Sequence, residues 1–439
     1  MIRRLLRPWW ARWIVLPLLA ILAAHAGWTL VLRWRFERRL EELRASGAPV
    51  ELRDLRRPPI ADEDNAAALW EEANKWHEEH LKPAPGQLNW SYDEWPEEYL
   101  EEIRAWLAKG DPYVDLLARA AAKPGMWQDL SWEAGPDMRV EAIPQTQEAV
   151  DFLRHRARFA ERATPEALRE VAVILDLAPK LERPLLLLML IRRTVEHIAA
   201  DSLRELAAKP GFDAREARAL LDPRFLATDD PGHFREALEG DRAVGISLSR
   251  RWIAGESPFA IMEKAQMDLG LDEPVKTRDR ALLNLVSGSW LARPLAYRDA
   301  LRLLDLAEKE IRLLDLPPRE ALPAAQALRE EYFVGPPNVF SHLFATMPMN
   351  AFRHRLHHLA RMRIARVGLA LLELRQTTGT WPESLDAVVP LVGEAWVEDP
   401  FTGDRLQYEP GVRVEAAVPI ANEELRADDE IVWRLAPPW

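Results

Sequence analysis

The sequence predicts a mainly α-helical protein with an N-terminal transmembrane helix, a large helical body and a small C-terminal antiparallel β-sheet. Three observations predict it. Trp13 to Leu32 contain no Asp, Glu, Lys or Arg; polar residues followed by Pro recur ahead of helical stripes through the middle; and strand-like alternation is almost absent before residue 400. The chain has 439 residues, 48% hydrophobic and 29% charged, an ordinary globular composition that excludes wholesale disorder.

As an α-helix, the apolar run from Trp13 to Leu32 matches the hydrocarbon thickness of a bilayer. Trp9, Trp10 and Trp13 at one end, with Trp28, Trp34 and Phe36 at the other, put aromatic rings at both headgroup layers. Arg3, Arg4, Arg7 and Arg12 precede the span and Arg33, Arg35, Arg38 and Arg39 follow it, so the positive-inside count is tied. A short basic segment before a first apolar helix is also the grammar of an export signal, and a long following domain crosses largely regardless of its charge. Both favour the N-terminus inside and the body outside. Ala24-His25-Ala26 has the small-x-small form of a signal peptidase site. The run nevertheless continues to Leu32 and carries a second aromatic girdle, which favours an uncleaved anchor over a cleaved signal.

Residues 45–62 hold Gly47, Pro49, Pro58 and Pro59 without a helical stripe and read as an extended tether. A helix follows, capped by Asp62 or Asp64, with Ala66, Leu69, Ala73 and Trp76 on one face. Helix starts with Pro in or near the first turn recur at Trp95-Pro96, Asp111-Pro112, Thr164-Pro165, Asp230-Pro231 and Ser257-Pro258, where a missing N–H costs nothing. The predicted helices are about 63–80, 94–109, 112–122, 144–163, 165–180, 184–208, 213–222, 231–253, 257–269, 275–290, 294–316, 318–331 and 351–378. Leu185 to Ile191 is apolar but bracketed by Arg183 and Arg192; it is too short to span and reads as a core helix.

Gly379 is placed to end the long helix in the left-handed conformation. Trp381, Leu385, Val388 and Val389 should then fold back onto that helix, with Phe401 and Tyr408 closing the cluster. Around the Pro410-Gly411 turn, Leu406, Tyr408, Val412 and Val414 suggest a hairpin, and Ile431 to Leu435 a third strand. The chain therefore divides into tail, anchor and flank (1–44), tether (45–62), α-helical body (63–350), and long helix plus sheet module (351–439).

Residues 45–73, with Gly47, Pro49, Val50, Pro58, Pro59, Asn65, Ala66 and Ala67, resemble the opening of a group of uncharacterised, single-anchor exported bacterial proteins frequent in planctomycetes. There a G-x-P-V, a PP pair and N-A-A follow the membrane helix. Residues 363–408 resemble the end of the same group and, more distantly, the segment after the helix of type II secretion pseudopilins, where a helix leads to a Y-P-x-x-L turn, here with Trp381 in place of Tyr, and a D-P-x-G-x-x-x-x-Y hairpin. The first resemblance implies an exported, anchored protein of the bacterial inner membrane with its bulk in the periplasm; it brings no activity. The second implies only a local fold, because the helix at 351–378 carries Arg353, Arg355, Arg361, Arg363 and Arg366 and cannot be a filament's membrane helix.

The formal charge of −12 is uneven: residues 1–44 carry nine Arg against Glu37, Glu41 and Glu42, leaving an acidic body. Such a body repels phosphate backbones, so no nucleic-acid partner is expected. With no Cys, disulfides, thiolate metal sites and Cys nucleophiles are excluded. His354, His357 and His358 have the i, i+3, i+4 spacing of metal ligands, but five Arg on that helix and no acid within the turn favour ordinary histidines. His77-Glu78-Glu79-His80 lacks zincin spacing and reads as an exposed helix end. Gly245 to Ser249 lacks the second Gly and the strand of a nucleophile elbow. Asp399, Asp404, Asp428 and Asp429 are oxygen ligands of the kind Ca²⁺ takes, though Asp is equally a turn residue. Of 18 Trp, seven fall between Trp70 and Trp132; helical spacing favours core, with Trp90 and Trp127 in loop contexts.

No catalytic, cofactor-binding or metal-binding residue is assigned on this reading. The expectation is a non-catalytic binding or structural component of the cell envelope, held in the membrane by residues 13–32 and engaging a protein partner there. The alternatives are an envelope hydrolase or glycan-active enzyme using a Trp-rich surface with paired carboxylates, and an accessory to a secretion or pilus-like machine.

Overall fold

A computed structural model describes residues 9–82, 100–127, 142–181, 184–228, 231–257, 260–261, 289–333, 340–417 and 431–435. The predicted helices at 257–269 and 275–290 lie almost wholly outside these residues, as do Trp90, Trp95 and Trp132.

Helix α1 (Trp9–Ala45) has 37 residues, about 55 Å at 1.5 Å per residue, so it exceeds a bilayer's hydrocarbon thickness. It stops at Gly47, whose φ of +78° suits a residue without a Cβ. There Gly47 N–H donates to Arg44 O and Ala48 N–H to Leu43 O, the paired bonds of a Schellman end. The next segment corrects the expectation of a tether. Val50 is fully buried, and Leu52 and Leu55 form a 3₁₀ turn that packs on Ala243. Three apolar side chains at that spacing are enough to dock the strand of chain that the Gly and Pro content marked as free.

Helix α2 (Ala67–His80) also starts later than expected, because Asp62–Asp64 form a separate 3₁₀ turn. Asn65 organises the start: its Oδ1 accepts the N–H groups of Ala67 and Trp127, and its Nδ2 donates to Trp127 O. The buried stripe is Ala66, Trp70, Ala73 and His77, so Leu69 and Trp76 sit on its flank. Helices α3 (Leu100–Lys109), α4 (Asp111–Ala121), α5 (Ala142–Phe159), α6 (Pro165–Leu177), α7 (Leu186–Ala207) and α8 (Ala214–Leu226) follow. The Thr164 cap is present, its Oγ1 accepting Ala167 N–H, while Asp111 lies inside α4 behind Gly110 and makes no cap; Asp213 caps α8 by accepting Glu216 N–H.

Helices α9 (Pro231–Ala254), α10 (Arg293–Leu313), α11 (Pro318–Phe333) and α12 (Phe340–Thr378) complete the main layers. The last begins eleven residues before the predicted start at 351, and the backbone stays helical through Pro348. Helix α12 is the central strut, touching α7, α8, α10, α11 and the C-terminal sheet. Its arginines act as fasteners. Arg366 Nε donates to Asp222 Oδ1 on α8, Nη1 donates to Val392 O, and the guanidinium lies 4.4 Å from the Trp396 ring centroid. Arg363 Nη1 donates to Glu398 O.

Short helices α13 (Val389–Val392) and α14 (Glu394–Val397) lead to strands β1 (Gln407–Glu409), β2 (Arg413–Glu415) and β3 (Val432–Arg434). The sheet is antiparallel in the order β1-β2-β3, with Tyr408 opposite Val414 and Val414 opposite Trp433. Trp433 lies against Gly368 of α12, where an added Cβ would meet the ring at 2.5 Å. Val412 falls in the turn and is exposed, not in the strand alternation. Gly379 ends α12 with φ +78° and donates to Arg375 O.

Trp381 folds back onto the helix without being fully buried. It packs on the core cluster beside buried Leu385 and Val388, and Arg375 lies 4.6 Å from its ring centroid, but the indole is only half-buried. Trp381→Ala is therefore expected to lower the unfolding free energy by about 1.5 to 3 kcal/mol, the value of partial apolar burial, and not the ~3 to 5 kcal/mol of a full core aromatic. Urea unfolding of the full chain in detergent checks this.

Candidate functional site

The three histidines singled out in the sequence are dispersed by the fold. His354 is exposed, His357 meets the Phe401 ring edge-on at 5.3 Å, and His358 is 1% exposed, turned from α12 toward α7. There His358 Nε2 lies 3.4 Å from Glu196 Oε2, and its Nδ1 lies 3.3 Å from His197 Nε2. Arg192 Nε donates to Glu196 Oε1 at 2.9 Å, and its Nη1 donates to His233 Nδ1 at 3.1 Å. Glu196 is the acid that the local sequence lacked; it arrives from another helix.

Burial holds His358 and His197 well below the usual imidazole range, with Arg193 and His197 reinforcing this at His358, and Arg361 and Arg193 at His197. The pair is neutral at physiological pH. Glu196 and Arg192 are 1% and 4% exposed, so the charge pair is shut away from solvent, with part-buried His197 and His233 at its edge. Its chemistry is that of a polar core in which a charge pair and two neutral imidazoles lock α7 to α12. Among the described residues no group of three or more His, Cys, Asp or Glu is arranged to hold a metal ion.

A second enclosed cluster pairs two acids. Asp241 of α9 is half-buried as a residue, but its carboxyl turns inward and accepts the Leu186 N–H at the start of α7. Burial pushes it up to about 7, and burial followed by Asp241's charge pushes Glu310 of α10 well above the carboxylate range. Two carboxyls in proximity are the feature that a glycan-active reading requires. Here they lie between packed helices, with Glu310 7% exposed, not in a groove.

Because Asp241 binds its proton more tightly folded than unfolded, its contribution is fully present near pH 4 and is lost as pH rises through about 7. Buried His155, pushed down to about 4 by burial, works oppositely and loses stability as pH falls below about 6.5. The readout that isolates Asp241 is the difference between wild type and Asp241→Asn. The variant is expected to gain relative stability as pH rises from 4 to 7, by up to about 1.4 kcal/mol per pH unit; parallel curves would refute the assignment.

Other marked residues have structural duties. Asp399 is 1% exposed and accepts Phe401 N–H at 2.8 Å and Ala417 N–H at 2.6 Å, so its carboxylate is consumed by the turn; Asp428 and Asp429 lie outside the described residues. His77 corrects the exposed-end reading, being 2% exposed with Nδ1 3.5 Å from Glu148. Gly245 to Ser249 lie within α9, and Ser249 is buried. Trp70 and Trp106 are core, Trp106 Nε1 donating to Leu81 O, while Trp127 Nε1 donates to Arg57 O. The roomiest of three described clefts, about 480 Å³, sits at the elbow after α1, where Arg57 and Glu236 pair across it at 2.8 Å.

The remaining feature is the junction of anchor and body. One face of α1 is covered: Leu32, Phe36 and Leu40 are buried against Ile246 of α9 and Tyr297, Ala300 and Leu304 of α10. Arg39 pairs with Glu308 of α10. The rest of the apolar run is bare, with Trp13, Ile14, Leu18, Leu19, Ile21, Trp28 and Leu30 all at least half exposed. Large exposed apolar patches of this kind are uncommon on soluble proteins. An 18-residue window of α1 has a mean hydropathy of 2.0, and the helix is long and apolar enough to cross a membrane. No family model, curated protein or solved structure matches the chain.

Proposed function

We propose that this is a single-pass protein of the bacterial inner membrane, N-terminus inside and bulk in the periplasm. Its helical body acts as a non-catalytic binding or structural component of the envelope that holds a protein partner at a fixed height above the bilayer. The observation that carries the reading is the continuity of α1, apolar and largely exposed over its first half and docked by one face, through Leu32, Phe36 and Leu40, on α9 and α10 over its second. A body gripping its own anchor through Phe36 and Leu40 is positioned, whereas a body on a loose tether would sweep a volume. The enclosure of both ionisable clusters supports a structural role for them, and the resemblance of residues 45–73 to anchored, exported bacterial proteins supports the compartment.

Protease added to spheroplasts should digest the body while sparing a fragment containing residues 13–32. Complete protection of the body would contradict the orientation. In-cell crosslinking with mass spectrometry should return a reproducible envelope protein attached to the body; crosslinks only within the chain would contradict the binding role.

A further inference from the structure

The body touches α1 at membrane depth as well as beyond it. His25, inside the apolar span, directs Nε2 to the Leu291 carbonyl at 3.1 Å, and its ring meets Trp290 edge-to-face at 4.6 Å. A histidine within a span needs a polar partner, and a carbonyl of the short 3₁₀ turn Trp290–Ala292 supplies it. His25 stands about 10 Å from Leu32 along the helix. Whatever depth α1 takes, the turn beside His25 shares it.

The chemistry of residues 290–295 fits that depth. Ala292 and Ala296 face the body and are buried, while Trp290, Leu291 and Leu295 point away at 49%, 52% and 48% exposure. A Trp with two Leu on one face is the pattern of a segment seated in the headgroup and upper acyl region. Cations lie above it: Arg293 is exposed, Arg33 and Arg293 both lie near Tyr297, and Arg35 and Arg38 are exposed two and five residues beyond Arg33 on α1. Guanidinium groups at that level match phosphate headgroups. This patch is also continuous with the bare apolar surface of α1.

We infer that Trp290, Leu291 and Leu295 form a second membrane contact, a wedge at the start of α10 inserted in the body-side leaflet beside the anchor. It rests on the reading of α1 as a spanning helix. Two attachments fix the tilt of the docked body against the bilayer, which a single spanning helix leaves free.

The absence of Cys makes the test clean. Single-cysteine variants of the full chain, Leu291→Cys and Leu295→Cys, are labelled with an environment-sensitive fluorophore and reconstituted in phosphatidylethanolamine–phosphatidylglycerol vesicles. Ile21→Cys reports the span and Val412→Cys reports water. Labels at 291 and 295 should lose emission to lipid-attached nitroxide and resist iodide, as at 21, while the label at 412 shows the reverse. Iodide quenching at 291 and 295 with lipid quenching kept at 21 would overturn the wedge alone. Resistance to both quenchers would mean a protein covers the patch, and would also overturn it. Iodide quenching at 21 would show instead that the spanning reading fails, and the wedge with it.

Discussion

Replacing Glu196 with alanine is expected to lower the unfolding free energy by about 3 to 5 kcal/mol, the cost of removing one partner from a buried ion pair. Arg192, 4% exposed, keeps its hydrogen bonds to His233 and the Ala227 carbonyl but loses its counter-charge, and His358 loses the carboxylate 3.4 Å from Nε2. Glu196→Gln keeps the shape and one acceptor oxygen and should cost less, since a bond to a neutral acceptor is weaker than a charge-assisted one. Thermal unfolding in nanodiscs reads both. A change below about 1 kcal/mol for the alanine variant, the scale of a surface pair, would show that the network is solvated.

Gly240→Ala should be comparably severe for a steric reason. A Cβ there would lie 1.5 Å from the Pro184 carbonyl oxygen and 2.6 Å from its carbon, and backbone cannot swing aside as a side chain can. Helix α9 must separate from the start of α7, which also strains the bond from Leu186 N–H to Asp241. Overpacking of this kind costs about 3 kcal/mol or more. Gly27→Ala is the matched control: nothing lies within 4 Å of its added Cβ, so the melting temperature should hold. Equal behaviour of the two variants would mean that α7 and α9 are not in contact.

Local signals were legible where physics is local. Twenty residues without a charge announce α1, Gly379 announces the end of α12, and the Pro410-Gly411 turn announces a hairpin, since each needs only its own neighbours. The docking of α1 was not legible. Leu32, Phe36 and Leu40 are interleaved with Arg33, Arg35, Arg38 and Arg39, so the stripe reads as a charged flank until α10, far along the chain, provides its partner. The same distance hid Glu196 from His358 and Glu310 from Asp241. Burial of His77 and Trp70 turned α2 away from the face that Leu69 and Trp76 suggested, because packing across α4 outweighs apolar spacing along one helix.

The packing of Leu32, Phe36 and Leu40 on α9 and α10 should make α1 and the body one rigid piece. Spin labels at Arg35→Cys on α1 and Arg169→Cys on α6, both exposed sites, give a distance distribution by pulsed electron resonance in nanodiscs. A single narrow distribution, unchanged between detergent and bilayer, is the predicted result. A broad distribution spanning many ångströms would mean that residues 45–62 are a loose tether after all, and would contradict the docked anchor.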